Sequence, residues 1–328
     1  MKLLVLLFAS TALVSALSKP FEPHHGLPPP PPADRQARPG YWGKMGIYQD
    51  HFDSGNKKTY KMRYVYNNQF HTFGGPMFFM VGTKGTIESG YVEGGLMFDM
   101  ARAHGGAMLY VEHRYYGESF PVDDLSTNNL RLLTTEQAMA DVVAFIGQLK
   151  QVPNYRDSKV VAVGGNMAIW MRATYPNEIY AAWSSSAPVL AKVHFSEYAE
   201  VVSQSLSACT DIIRNGVNEV QRLLQHNDGI QKVSRDFNIC RTLDVTNFGD
   251  TSYFYKTIFD KFADEVQYST TASLNALCNR LNNPLFASDY DRLVAFYRTT
   301  SPSECVEDYN NLVEFYKRTG LDTGNGTY

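Results

Sequence analysis

Lys159-Val160-Val161-Ala162-Val163-Gly164-Gly165-Asn166-Met167-Ala168-Ile169-Trp170-Met171-Arg172 is the stretch that decides the fold. Its first five residues form a β-branched run of the kind that buried strands carry. Past the two glycines the apolar period lengthens to that of a helix, which Tyr175-Pro176 brings to a stop. The reading is strand, tight glycine turn, helix. Segments on either side repeat the alternation. Tyr60–Asn67, Met77–Val81, Ala107–Val111 and the run from Ala181 to Trp183 read as strands. Phe98–His104 reads as a helix, and so does the segment opening at Leu132-Leu133-Thr134-Thr135-Glu136-Gln137-Ala138. Thr134 or Thr135 caps that second helix, which continues through Asp141, Val142, Phe145 and Ile146. Strands alternating with helices make an α/β sheet.

Two loops leave strand ends in this pattern. Gly82-Thr83-Lys84-Gly85 follows Met77–Val81, and Glu112-His113-Arg114-Tyr115-Tyr116-Gly117-Glu118-Ser119 follows Ala107–Val111. Loops at the carboxyl ends of strands are where open α/β sheets place their sites.

The whole chain is 328 residues, 44% hydrophobic, with a formal net charge of −3. That length suits one large domain with an insertion, or two ordinary domains. The charge gives no electrostatic footprint for nucleic acid or an anionic membrane. Met1-Lys2, the apolar run Leu3–Ala9 and Val14-Ser15-Ala16 read as a secretory signal over 1–18, too short to span a bilayer. Residues 19–40, with prolines unbroken from Pro28 to Pro32, read as an extended linker or propeptide that builds no core. Order is expected from Tyr41-Trp42.

In α/β-hydrolases the strand-turn-helix element carries the nucleophile, as Gly-x-Ser-x-Gly. The turn here, Gly164-Gly165-Asn166, holds no serine. Even so, the chain from Tyr41 nearly to its end resembles the secreted serine exopeptidases of the prolyl carboxypeptidase, dipeptidyl peptidase II and thymus-specific serine protease family. The resemblance is carried by Lys159–Pro188, the Glu112–Ser119 loop, the Leu132–Ala138 helix start and the cysteine set. Gln49-Asp50-His51-Phe52-Asp53 resembles the family's opening segment, ahead of its first strands. In that family the turn runs Gly-Gly-Ser-Tyr-Gly/Ser-Gly, so this chain passes from Gly165 to Asn166 as though Ser-Tyr-x-Gly were cut out. Four residues exceed one helical turn by only about 0.4 residue, roughly 40° of rotation, so the helix keeps its apolar face toward the sheet. Asn166 is then expected to N-cap it.

The resemblance implies an α/β-hydrolase-like core over 41–192 and a helical cap over 193–328. Helical periodicity in Val201–Cys209, Val217–Leu224, Tyr253–Phe262 and Leu293–Tyr297 fits the cap. In the family the sheet resumes after the cap and brings the catalytic aspartate and histidine. Those C-terminal strands are expected to be missing here. Cys209, Cys240, Cys278 and Cys305 allow three pairings by spacing, and without a Cys-x-x-Cys or a nearby histidine pair they read as disulfides rather than zinc ligands. The family pattern implies Cys209–Cys278 and Cys240–Cys305. Asn325-Gly326-Thr327 matches a glycosylation acceptor.

For chemistry, the resemblance implies acyl transfer by a serine, a histidine and an aspartate beside backbone oxyanion donors. No intact catalytic residue is expected; the nucleophile's place lies between Gly165 and Asn166. Gly82, Thr83, Lys84 and Gly85 read as a remnant oxyanion loop, with Lys84 where the family carries an acid. Glu112, His113, Arg114, Tyr115 and Tyr116 read as an ordered loop on the active-site side. His113 precedes the nucleophile's place, whereas the hydrolase base follows it. Ser184-Ser185-Ser186 reads as a packed strand exit with no base beside it. After Gly165 only His194 and His226 remain, both in or beside the helical region.

The function so implied is a secreted or lysosomal serine-type exopeptidase acting next to proline, inactive in the chain as written. The alternative is a non-catalytic secreted relative that binds peptides or partners. No metal or cofactor is expected. Expected partners are peptides with proline near a terminus and, in a homodimer, a second copy; nucleic acid and, after signal cleavage, membrane are not. The strand around Ala181–Trp183 is expected to present an open flank that favours oligomers.

Overall fold

Tyr41–Tyr48 (β1), Thr59–Asn67 (β2), Met77–Val81 (β3), Ala107–Val111 (β4), Val160–Gly164 (β5) and Ala181–Ser184 (β6) form one sheet in the order β1-β2-β4-β3-β5-β6. β1 pairs antiparallel with β2, and β2 with β4. β4, β3, β5 and β6 run parallel. The structure is a computed structural model that describes residues 30–82, 84–300, 305–306, 308–318 and 320–321. The signal segment 1–18, residues 19–29 of the proline-rich segment, Thr83 and Asn325 lie outside the described residues.

β3 and β4 are buried at every position, as strands covered on both faces must be. The pleat sorts their side chains. Met77, Phe79, Val81, Leu109, Val111 and Ala162 pack with helices α2 (Thr135–Leu149) and α3 (Asn166–Thr174). Phe78, Met80, Met108 and Tyr110 face the other way, onto Met97, Phe98 and Ala101 of helix α1 (Gly95–His104). This mixed sheet with helices on both faces is the α/β-hydrolase fold.

Two elements differ from expectation. The first strand precedes Gln49–Asp53 instead of following it: β1 begins at Tyr41, and its Gly43 and Gly46 dilute the alternation that marks a strand. Order also begins earlier, inside the segment read as a linker. Asp34 donates its amide to Glu93 O at 2.8 Å, Gly40 N reaches Glu93 Oε1 at 2.8 Å, and Ala37 packs on the α1 side of the sheet. Proline-rich backbone has no ladder of its own, so these contacts with the 3-10 turn Ser89–Val92 and its exit replace one.

The chain divides into two compact units, one within His25–Ala191 and the other Lys192–Lys317. The second is helical. Its elements are α4 (Ser196–Ser205), α5 (Thr210–Leu223), α6 (Asn227–Asp236), α7 (Phe248–Tyr268), α8 (Thr271–Leu281), α9 (Asp289–Thr300) and α10 (Tyr309–Tyr316). Phe237 sits at the centre, with ring contacts to Phe254, Tyr290 and Tyr297. Side-chain caps at Asn247, Thr270 and Asp308 start α7, α8 and α10. Disulfides join Cys209 to Cys278 and Cys240 to Cys305.

Candidate functional site at the carboxyl edge of the sheet

The parallel register aligns three chain exits. Val81 pairs with Gly164, and Gly164 with Ser184, so the loop after β3, the turn after β5 and the exit of β6 leave the sheet at one level. They touch. A β-carbon on Gly164 would stand 2.6 Å from Val81 O, and one on Gly82 would stand 2.6 Å from Met167 Cβ in α3. Gly82 also has φ +76°, where a side chain is strained regardless of space. The two glycines are therefore what lets the β3 loop lie against the elbow.

α3 starts at Asn166, immediately after Gly165, which occupies the N-cap position without a side chain to offer. This corrects the expectation for Asn166. Its Nδ2 donates to Pro188 O at 3.1 Å, and its Oδ1 is buried with no hydrogen-bond partner. With Asn166 already inside the helix, its oxygen is not offered to the first-turn amides as a cap would be.

The serines nearby are committed to the scaffold. Ser184 donates its hydroxyl to Gly165 O at 2.7 Å, and Ser185 Oγ accepts from Trp183 Nε1 at 2.9 Å. Ser185 N closes on Gly164 O at 2.8 Å, and Ser186 turns the chain at φ 53°. Among the described residues no histidine is hydrogen-bonded to any of the three. A serine becomes a nucleophile only with a base in reach. Lys84 is exposed, and Gly85 takes φ +101°.

The loop after β4 is organised by two buried carboxylates. Glu112, with a fully buried side chain, receives Arg63 Nη2 at 2.6 Å, Ser119 Oγ at 2.7 Å, Glu118 N at 2.9 Å and Ile87 N at 3.3 Å. The last of these ties the β3 loop to the β4 loop. Asp141, on α2, receives Arg114 Nε and Nη2, Tyr60 OH at 2.8 Å and faces His51 Nε2 at 2.7 Å. Burial opposes the Arg114 charge, but Asp141 more than offsets it and raises the guanidinium pKa. Burial, reinforced by Asp141, pushes the Tyr60 phenol well up. His113 turns inward, donating Nδ1–H to Arg114 O at 2.7 Å; burial pushes its pKa down despite that bond. Tyr115 takes φ 68° and donates its hydroxyl to Asn129 O, while Tyr116 packs edge-on against His113. The charged side chains of this loop bond partners on neighbouring elements, Glu112 to Arg63 of β2 and Arg114 to Asp141 of α2, rather than one another.

Arg63, Tyr60 and Asp141 were not singled out as site residues by sequence reasoning. One signal was available: Asp141 falls on the apolar stripe of Ala138, Val142 and Phe145, where an acid needs a buried partner. His194 and His226, in the helical unit, are both exposed. Among the described residues no group of three histidine, cysteine or acidic side chains is placed to hold a metal ion. No described helix is long and apolar enough to cross a membrane.

The family model for serine carboxypeptidase S28 matches residues 48–318. The chain belongs to the serine carboxypeptidase S28 family. Among S28-type relatives, the Caenorhabditis elegans protein K12H4.7, whose name classes it with serine proteases, is 38% identical over 68% of this chain and 46% of its own length. Thymus-specific serine protease of Mus musculus is 31% identical over 74% of this chain and 52% of its own. Lysosomal Pro-X carboxypeptidase of Bos taurus is 34% identical over 59% and 42%. The chain thus spans about half the length of the curated relatives it matches. Among solved structures, the carboxylesterase EstE1 from a metagenomic library is 14% identical over 51% of this chain and 54% of that one, with a TM-score of 0.33. The two disulfides of this S28 chain are those of a secretory-pathway protein.

Proposed function

We propose that this chain is the sheet-and-cap part of a secreted or lysosomal serine exopeptidase that cleaves beside proline, and that the 328-residue chain does not itself hydrolyse peptides. The observation that carries this reading is the passage from Gly165 straight into α3 at Asn166, which leaves no hydroxyl on the elbow. The serines at the exit of β6 do not replace it, because Ser184 gives its proton to the backbone and Ser185 is held by an indole. Membership of the S28 family and the names of its carboxypeptidase and protease relatives support the exopeptidase descent. A missing nucleophile in this position also takes away the backbone amide that would follow it in the oxyanion hole.

A fluorophosphonate probe, which labels only activated serines, and a fluorogenic peptide with an internal proline test the proposal on the full chain. No label and no turnover are expected. Labelling of Ser184, Ser185 or Ser186 overturns it. Saturable binding of proline-containing peptides without turnover would assign the chain to non-catalytic peptide binding instead.

A further inference from the structure

The two disulfides of the helical unit stand in opposite surroundings. Cys209 and Cys278 are 2% and 3% exposed and belong to the apolar core, whereas Cys240 and Cys305 are both exposed. We propose that Cys240–Cys305 is a thiol-exchange site for a dithiol reductant, and that its opening releases α10 from α7 while the core disulfide stays closed.

What holds α10 makes the release specific. None of its residues is fully buried; Leu312, Val313 and Phe315 are half-buried, so apolar burial holds α10 less firmly than a core helix. Beside the packing of the Tyr309 ring on Gly249 of α7, the attachments around the disulfide are polar. Cys240 N donates to Val306 O at 2.9 Å and Val306 N to Asn238 O at 2.8 Å, in a short parallel bridge beside the disulfide. Arg241 reaches Asp308 Oδ1 at 2.8 Å, and Asp250 Oδ1 accepts from Tyr309 N at 3.1 Å. Asp308 caps α10 through Asn311 N, yet its Oδ2 is buried with no hydrogen-bond partner and the residue lines a small cavity with Asp250 and Phe254. A buried carboxylate oxygen without a donor disfavours the closed arrangement, and hydration on release relieves it. The covalent link thus holds in place a segment that its packing holds weakly.

Exchange needs access and a thiolate. A thiolate of the reductant attacks one sulfur of the pair and displaces the other as a thiolate, giving a mixed disulfide. The second thiol of the reductant then attacks that mixed disulfide. The products are two cysteine thiols here and one disulfide in the reductant, with two electrons transferred. Cys209 and Cys278 offer no such access.

Dithiothreitol titration of the native 328-residue chain, followed by alkylation and peptide mapping, tests the site. Cys240 and Cys305 are expected to label about tenfold faster than Cys209 and Cys278. Hydrogen–deuterium exchange on the same samples is expected to show loss of protection over Tyr309–Tyr316 but not over α8. A Cys240→Ser/Cys305→Ser variant should show the same exchange pattern without reductant. Equal or faster labelling of the core pair overturns the proposal, and so does selective reduction that leaves α10 protected.

Discussion

Arg114 and Asp141 meet edge to edge, with Nε and Nη2 of the guanidinium each 2.7 Å from a carboxylate oxygen and neither side chain more than 1% exposed. Removing one partner strands the other charge in the interior, so Asp141→Ala is expected to cost about 3–5 kcal/mol in urea denaturation. Tyr60 and His51 lose a partner in the same change. Lys44→Ala is the control. Its pair with Glu118 is half exposed on both sides, and its loss should stay within about 1 kcal/mol.

Gly82 and Gly85 separate packing from backbone strain. Both have positive φ, but only Gly82 has a neighbour, Met167, where a β-carbon would go. Gly85→Ala is expected to cost about 1 kcal/mol from conformation alone. Gly82→Ala should cost at least about 1 kcal/mol more, because Met167 Cβ belongs to a buried helix face and cannot step aside. Equal losses in thermal melts would mean that the β3 loop does not press on the elbow.

Acidification should weaken the sheet unit through its inward-facing histidines. Burial lowers the folded-state pKa of both His113 and His71 below the ordinary imidazole value of 6.5. The unfolded chain therefore binds protons first as pH falls. Stability is fully present above pH 6.5 and declines as pH drops toward the folded-state values. Melting temperature measured at pH 7.5, 6.5 and 5.5 is expected to fall across the lower interval. His113→Asn should flatten that fall without abolishing it, since His71 remains.

These relationships also mark where the sequence was legible. Buried strands announce themselves: β3 and β4 coincide with the apolar runs Met77–Val81 and Ala107–Val111 because both faces are covered. Of the two threonines read as candidate caps, Thr134 is the one that caps α2, accepting from Gln137 N at 3.2 Å. β1 was illegible because two of its eight residues are glycine, and Gly43 gives up its side-chain space to the Tyr64 ring. α10 has no fully buried position to set up a period. At the site, Asn166 was misplaced by one residue because a cap depends on where the first helical φ and ψ fall, which residue type alone does not fix. The pairing of Glu112 with Arg63 and of Asp141 with Arg114 joins segments 49 and 27 residues apart, and no local pattern specifies it.

Among the described residues β6 pairs with β5 alone. Ala181-Ala182-Trp183-Ser184 carries neither the charge nor the proline that usually blunts an edge. Its outer amides and carbonyls thus form a template for another strand, and a second copy supplies one by antiparallel pairing about a two-fold axis. The 328-residue chain is therefore expected to self-associate as its concentration rises, seen as a growing mass by size exclusion with light scattering. Ala181 lies in register with Val161, on the face opposite Ala182, so a lysine there leaves the α3 side of the core untouched. Ala181→Lys should shift the population toward monomer at equal concentration, with little change in melting temperature measured on the dilute protein. A wild-type chain that stays monomeric throughout would show that this edge is covered in solution.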